Sequence, residues 1–396
     1  MKKSLAIVLA FVVLVTSFNC ISVLGQEIDS QGLAVELNGV ATGYATIVYN
    51  DIHYVPLRKV FEELGARVYY RNRDKQILAL SRDGDMISHI VGENIITVNG
   101  EQREFDNPSV LYNDGTYISI DMVASAFCTD GISYEDQKLN IQKFMFNNDY
   151  HKVVKEVLDV ADSSNFYPER FHRYINLHVK NPAYTMQEVL YRVNLGLDYP
   201  FYENIVTIEQ PYELLVLVNK YNKLPEGYQQ YNLVPMERAY TDGGNYLLAG
   251  VAYEMYTKMS DAAKSDGYSM RVISAYRTEG YQGSLYNNRV RTTGKINADN
   301  YSARPGHSEH QTGLAVDISS TRGTFEYTPE FKWLQQHAHE YGFIMRYPRG
   351  KEWITGYSYE PWHYRYVGID AATVIHEEGI TYEEYYAMYV SENEFR

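Results

Sequence analysis

Cysteine is almost missing: the 396-residue chain contains two, Cys20 and Cys128. Cys20 falls in a stretch laid out like a secretory leader, residues 1–25. There Lys2 and Lys3 precede the apolar run 5–15, and the compact residues Val23, Leu24 and Gly25 stand before Gln26. Cleavage after Gly25 leaves Cys128 alone, which excludes an internal disulfide and a cysteine-built zinc cluster, so stability must come from packed cores. Left uncut, residues 5–25 are barely long enough to anchor the chain in a bilayer, and in either case the remainder lies outside the membrane. Phe18 and Asn19 are poor neighbours for lipidation at Cys20. Positive charge is also in deficit. Thirty-six basic residues against fifty acidic ones give a net charge of −14, which argues against nucleic acid or an anionic membrane as the main partner and leaves peptides and glycans open.

Tyrosine, by contrast, is abundant, with 39 copies read as half-buried packing and surface aromatics. The length predicts two or three folding units. Residues 33–143 read as short strands broken by Asn-Gly and Asp-Gly turns, with two short helices. Two arms look alike. The first has the turn Asn38-Gly39, a strand 54–58, a helix 59–64 and a strand 66–70; the second has Asn99-Gly100, a strand 117–120, a helix 121–127 and strands 131–134 and 138–142. An internal repeat of roughly sixty residues implies two similar units packed as one small α+β domain. This stretch resembles the copper amine oxidase N-terminal module. The resemblance implies an extracellular, wall-associated location; no metal-ligand spacing occurs in it, and no copper is expected.

Residues 147–208 read as a helical connector, clearest over 185–193, where Thr185 caps the helix and Glu188 is the reciprocal capping-box partner. From Tyr212 to residue 392 the pattern predicts a compact α+β domain, with a strand 214–218, an amphipathic helix 246–265 and a strand 270–274.

The chemistry lies after that point. His310 and Asp317 are seven residues apart in the string 305–318. One helix would separate them by about 10.5 Å along its axis, too far for two ligands with bonds of roughly 2.0–2.2 Å to share an ion. The segment must fold back, with Gly313 as the turn into a strand carrying Asp317. Glu360 and His363 follow near the C-terminus, where Pro361 biases Glu360 toward an extended backbone. On a regular strand these two would face opposite ways, so a bulge or turn is needed to bring them into one pocket. Two histidines and a carboxylate leave zinc an open position, and Glu360 is placed to take and return a proton. Arg277, after the strand 272–274, is the candidate for stabilising negative charge on a carbonyl oxygen. Ser274, Gln282 and Ser308 are candidates for orienting the substrate or for holding the groups that touch it, and Trp362 either stacks under it or fixes the loop.

Taken singly, each of these residues is more often structural; the case rests on their coming as a set. His337 and His339, two residues apart in an expected helix 330–341, do not share a face and read as solvated.

The strings 271–282, 305–317 and 360–363 resemble, in order, the three motifs of the VanY-type D-alanyl-D-alanine and L,D-carboxypeptidase family, with the string 218–225 at its entry. The resemblance implies zinc held by His310, Asp317 and His363, Glu360 as base, Arg277 steadying the transition state, and an α+β fold around an antiparallel sheet. It also implies a peptidoglycan stem peptide as substrate. A terminal D-alanine carboxypeptidase, an endopeptidase, a D-alanyl-D-alanine dipeptidase and a wall-binding protein with a structural zinc remain open. His307 is permitted by the pattern and not required.

Overall fold

The computed structural model describes residues 32–127, 131–135, 137–143 and 148–391. The leader-like residues 1–25 and Cys128 lie outside them. The chain divides into two compact units between Lys180 and Asn181. Among the described residues no helix is long and apolar enough to cross a membrane.

In the first unit each arm consists of a hairpin, a second hairpin, a short helix and a third hairpin. The first arm runs Ala34–Leu37 and Val40–Ala45, then Ile47–Tyr49 and Ile52–Pro56, helix Leu57–Glu63, then Arg67–Arg71 and Gln76–Leu80. The second repeats it as Ile95–Val98 and Glu101–Glu104, Val110–Tyr112 and Gly115–Ser119, helix Ile120–Phe127, Gly131–Glu135 and Lys138–Gln142. The hairpins interleave. The last hairpin of the second arm joins the first hairpin of the first arm through a parallel pair, Ala34–Leu37 beside Lys138–Gln142. The two middle hairpins meet antiparallel, with Val55 opposite Ile118, both fully buried. Strand Met86–Ile90 bridges the remaining two hairpins into a five-stranded sheet. Asn38 and Asn99 adopt φ of 50° and 52°, the left-handed conformation that Asn-Gly supplies in a two-residue hairpin turn. One phenylalanine from each helix closes the core, Phe61 and Phe127 packing edge to face at 4.7 Å.

The helices of the stretch 147–208 fall on both sides of the division, Asp149–Asp159 and Phe171–Lys180 in the first unit and Met186–Asn194 in the second. Thr185 caps the last by accepting from the Glu188 N–H. The reciprocal bond does not form, because the Glu188 carboxylate takes two bonds from Arg192 one turn on.

The second unit is built on an antiparallel sheet ordered Val272–Ser274, Ala315–Ile318, Glu360–Tyr366, Phe343–Tyr347. Helix Gly250–Ser265 contributes Ala252, Tyr256, Met259 and Ala263 to the core that includes Val272, Val316, Ile318 and Phe343 from the sheet. It starts four residues later than expected because Leu247–Ala249 pairs as a strand with Leu233–Pro235. The strand expected at 214–218 is absent. Val216 and Val218 are buried as their apolar character requires, but the Leu214 and Val216 carbonyls accept 3.0 Å bonds from the Arg365 guanidinium instead of a neighbouring strand. The helix expected over 330–341 is α-helical only over Pro329–His337 and tightens to a 3-10 turn over Ala338–Tyr341.

Candidate active site and metal centre

Sheet register assembles the centre. Asp317 pairs with Ser274 on one side and with His363 on the other, so three adjacent strands set Ser274, Asp317 and His363 in a row. Cross-strand neighbours lie about 5 Å apart at Cβ. His310 reaches the row by a fold-back: a 3-10 turn Glu309–Thr312, then Gly313 at φ 66°, then strand Ala315–Ile318. A side chain at 313 would be strained in the left-handed conformation and would meet Leu233 Cδ2 at 2.7 Å, which favours glycine there. Glu360 shares the His363 strand. Met345 pairs with Tyr364 and Tyr347 with Glu360, so residues 361–363 all stand opposite Arg346 alone. This bulge breaks the alternation and turns Glu360 and His363 to one pocket, with Glu360 Oε2 3.7 Å from His363 Nδ1.

One ligand atom each from His310, Asp317 and His363 lies within 4.8 Å of the others, and all three residues are buried. His310 Nδ1 is 2.7 Å from the Ala275 carbonyl, an acceptor only, so it carries the proton and leaves Nε2 free, 3.4 Å from Asp317 Oδ1. His363 Nδ1 stands 3.5 Å from the same carboxylate oxygen. Two imidazoles and a carboxylate converging in this way suit a borderline cation such as zinc, and the set leaves a further coordination position open.

Arg277 follows the strand carrying Ser274. Its Nη2 donates to Asp317 Oδ2 at 2.7 Å and to Ser274 Oγ at 2.7 Å, and its Nε donates to Ser274 Oγ. The bond from Nη1 to Gln282 Oε1 is the longest, at 3.4 Å, so Nη1 is the donor with capacity to spare. Gln282 is itself buried and donates to the Ala303 carbonyl. Ser274 and Gln282 thus fix the arginine. Ser308 is buried at the start of the 3-10 turn, and Trp362 packs half-buried against the core; both line the cleft. The cleft holds about 640 Å³ and includes Arg277, Gln282, His310, Asp317, Glu360 and His363 in its walls.

Burial works against the Asp317 charge, but His310, His363 and Arg277 outweigh it and hold its carboxyl well below the usual range. Burial pushes Glu360 the other way, up to about 7, with Asp317 adding to the effect. The two histidines also diverge. Burial, helped by Arg277, lowers His310 to about 4. For His363 burial is overcome by the carboxylates of Asp317 and Glu309 beside its two nitrogens, which push it up to about 9. Two carboxylates with opposed shifts in one cleft are the pattern of an acid-base centre.

The other histidines stand apart from this group. His307 is buried with Nδ1 2.7 Å from the Asn219 carbonyl and its ring edge-on to Tyr202. His337 and His339 are half-buried rather than simply solvated, His337 tilted against Trp333 and His339 stacked on His376. No local sequence motif singles out Glu309, Arg346, Arg365 and Glu383. They form a fully buried ion network in which Arg346 bridges Glu309 and Glu383, and Arg365 also reaches Glu309. A signal existed in Arg346, a charge inside the apolar strand Phe343–Tyr347, though not its partner.

Residues 245–369 match the family model VanY, D-alanyl-D-alanine carboxypeptidase, and residues 35–142 match the copper amine oxidase N-terminal domain. A putative carboxypeptidase, YodJ of Bacillus subtilis, is 43% identical over 194 residues, which cover 46% of this chain and 71% of that protein. The chain belongs to the VanY-type D-alanyl-D-alanine carboxypeptidase family. Another relative is the bifunctional D-Ala-D-Ala dipeptidase and D-Ala-D-Ala carboxypeptidase VanXYC of Enterococcus gallinarum. It is 35% identical over 43% of this chain and 93% of its own. Among solved structures, a variant of the vancomycin-resistance D,D-pentapeptidase VanY in complex with Zn(II) is 38% identical. That match covers 44% of this chain and 99% of the other, with a TM-score of 0.38.

Proposed function

We propose that this VanY-type chain is a zinc-dependent carboxypeptidase that removes the terminal D-alanine from peptidoglycan stem peptides. The observation that carries the reading is the convergence of His310, Asp317 and His363 within 4.8 Å, with Glu360 3.7 Å from His363 in the same cleft. A zinc ion held by His310 Nε2, an Asp317 oxygen and His363 Nδ1 would supply the Lewis acidity that makes water a nucleophile near neutral pH. Glu360, whose carboxyl is raised toward neutrality by burial, is suited to accept a proton from the attacking water and pass it to the leaving amine. Arg277 keeps Asp317 ionised through Nη2 and offers Nη1 to charge developing on the carbonyl oxygen. The relatives named for D-Ala-D-Ala support the substrate class.

The test is mass spectrometry of muropeptides and synthetic stem peptides incubated with the zinc form beside Glu360→Ala. Loss of one terminal D-alanine with the parent alone supports the proposal, and preference for pentapeptide or tetrapeptide separates D,D from L,D cleavage. Internal cleavage, or zinc binding with no cleavage, would overturn it. We further propose export through the leader-like residues 1–25 and wall association through residues 33–143. Finding the full-length protein in the cytoplasm, or no retention of the chain on isolated walls, counts against these two proposals.

A further inference from the structure

Each of the two ligand histidines has a second nitrogen, and what holds it decides which nitrogen faces the metal. For His310 that partner is the Ala275 carbonyl. For His363 the nitrogen pointing away from the centre is Nε2, which is buried, has no hydrogen-bond partner within normal range, and lies 3.4 Å from Glu309 Oε2. Glu309 Oε2 is likewise buried and lacks any other partner. Two orphaned groups of complementary type thus face each other in a site closed to water.

The other Glu309 oxygen is held firmly. Oε1 accepts from Arg346 Nε at 2.7 Å and from Arg365 Nη1 at 3.2 Å. Arg346 is fixed in turn by Glu383, whose two oxygens accept from Nη1 and Nη2 at 2.8 and 2.6 Å. Glu383 lies on the short helix Tyr382–Tyr385, pinned by a capping box between Thr381 and Glu384. Arg365 is anchored by the Leu214 and Val216 carbonyls. Two carboxylates and two guanidiniums balance, so Glu309 stays ionised and rigid without solvent.

We propose that Glu309 is the positioning residue of the metal centre: it accepts the Nε2–H of His363 and so presents Nδ1 to the point shared with His310 Nε2 and Asp317. The residue preceding one ligand in sequence thereby orients a different ligand on another strand, and the C-terminal helix serves the centre through Glu383 and Arg346. This rests on the reading of His310, Asp317 and His363 as a metal site.

The experiment measures zinc affinity of the full chain by chelator competition, parent against Glu309→Gln, beside thermal unfolding of both metal-free proteins. A folded variant with zinc affinity reduced about 10- to 100-fold supports the proposal, that being the usual effect of losing such an outer partner. A folded variant binding zinc within twofold of the parent overturns it. If the variant does not fold, nitrogen-15 imidazole NMR of the zinc-loaded parent decides. A protected proton on His363 Nε2 supports the role, and a proton on Nδ1 overturns it. If the parent binds no zinc, the metal-site reading itself fails, an outcome distinct from unchanged affinity in the variant.

Discussion

The two units bury charge in different ways. Among the described residues of the first, the buried histidines and lysine each have a polar partner of their own: His89 sits between the Ile95 carbonyl and Ser109 Oγ, Lys143 pairs with Asp83, and His178 with Glu156. In the second, Asp317, Glu360, His310, His363 and Arg277 crowd into one cleft, backed by Glu309, Arg346, Arg365 and Glu383. Both units have apolar cores, but among the described residues only the second gathers like charges, Asp317 with Glu360 in the cleft and Arg346 with Arg365 buried behind it. That arrangement costs stability and shifts proton affinities, so it persists where chemistry uses it.

The contrast can be broken by substitution. Phe61→Ala removes a ring from the core of the first unit and should cost about 3–5 kcal/mol in urea unfolding, with cleavage by the folded protein at low temperature unchanged. A parallel loss of turnover per folded molecule would mean the first unit shares in the chemistry. Arg277→Met should do the reverse, lowering kcat about 10²- to 10³-fold, and a variant with normal turnover would remove the arginine from the mechanism.

Glu360 sharpens the comparison through pH. Its carboxyl rises from 4.5 to about 7 in the fold, so between those values the folded metal-free protein keeps a proton that the unfolded chain has released. The stability this residue contributes is complete below pH 4.5 and is lost as pH climbs through 7. Metal-free Glu360→Gln, which cannot ionise, should be more stable than the parent above pH 7 by at most about 3 kcal/mol, and equal to it at low pH. Equal unfolding free energies across the range would contradict the burial argument. The smallest effect is expected outside both sites: Thr185→Ala removes a helix cap and should cost about 1 kcal/mol in thermal unfolding with turnover intact.

Much of this was legible in the chain itself, because it rests on local rules. The Asn-Gly hairpins and the turn at Gly313 use a left-handed backbone that few other residue types accept, and the matching helices at Leu57–Glu63 and Ile120–Phe127 fall at corresponding places of the internal repeat. The need for a bulge near Glu360 came from the period of a strand. The segment 214–218 was misread because its apolar run shows burial and cannot show that Arg365, about 150 positions away, supplies its hydrogen bonds.

Residue type and spacing therefore determined which side chains are the candidates that the fold brings into one cleft: two histidines, two carboxylates and an arginine in strings that must fold back on themselves. Tertiary structure alone decided that Asp317 stands between Ser274 and His363 and that His310 and His363 offer opposite nitrogens. It also decided that Glu309 lies behind one of them. Sheet register and the partner of a buried nitrogen are set by groups distant in the chain, and no local pattern encodes them.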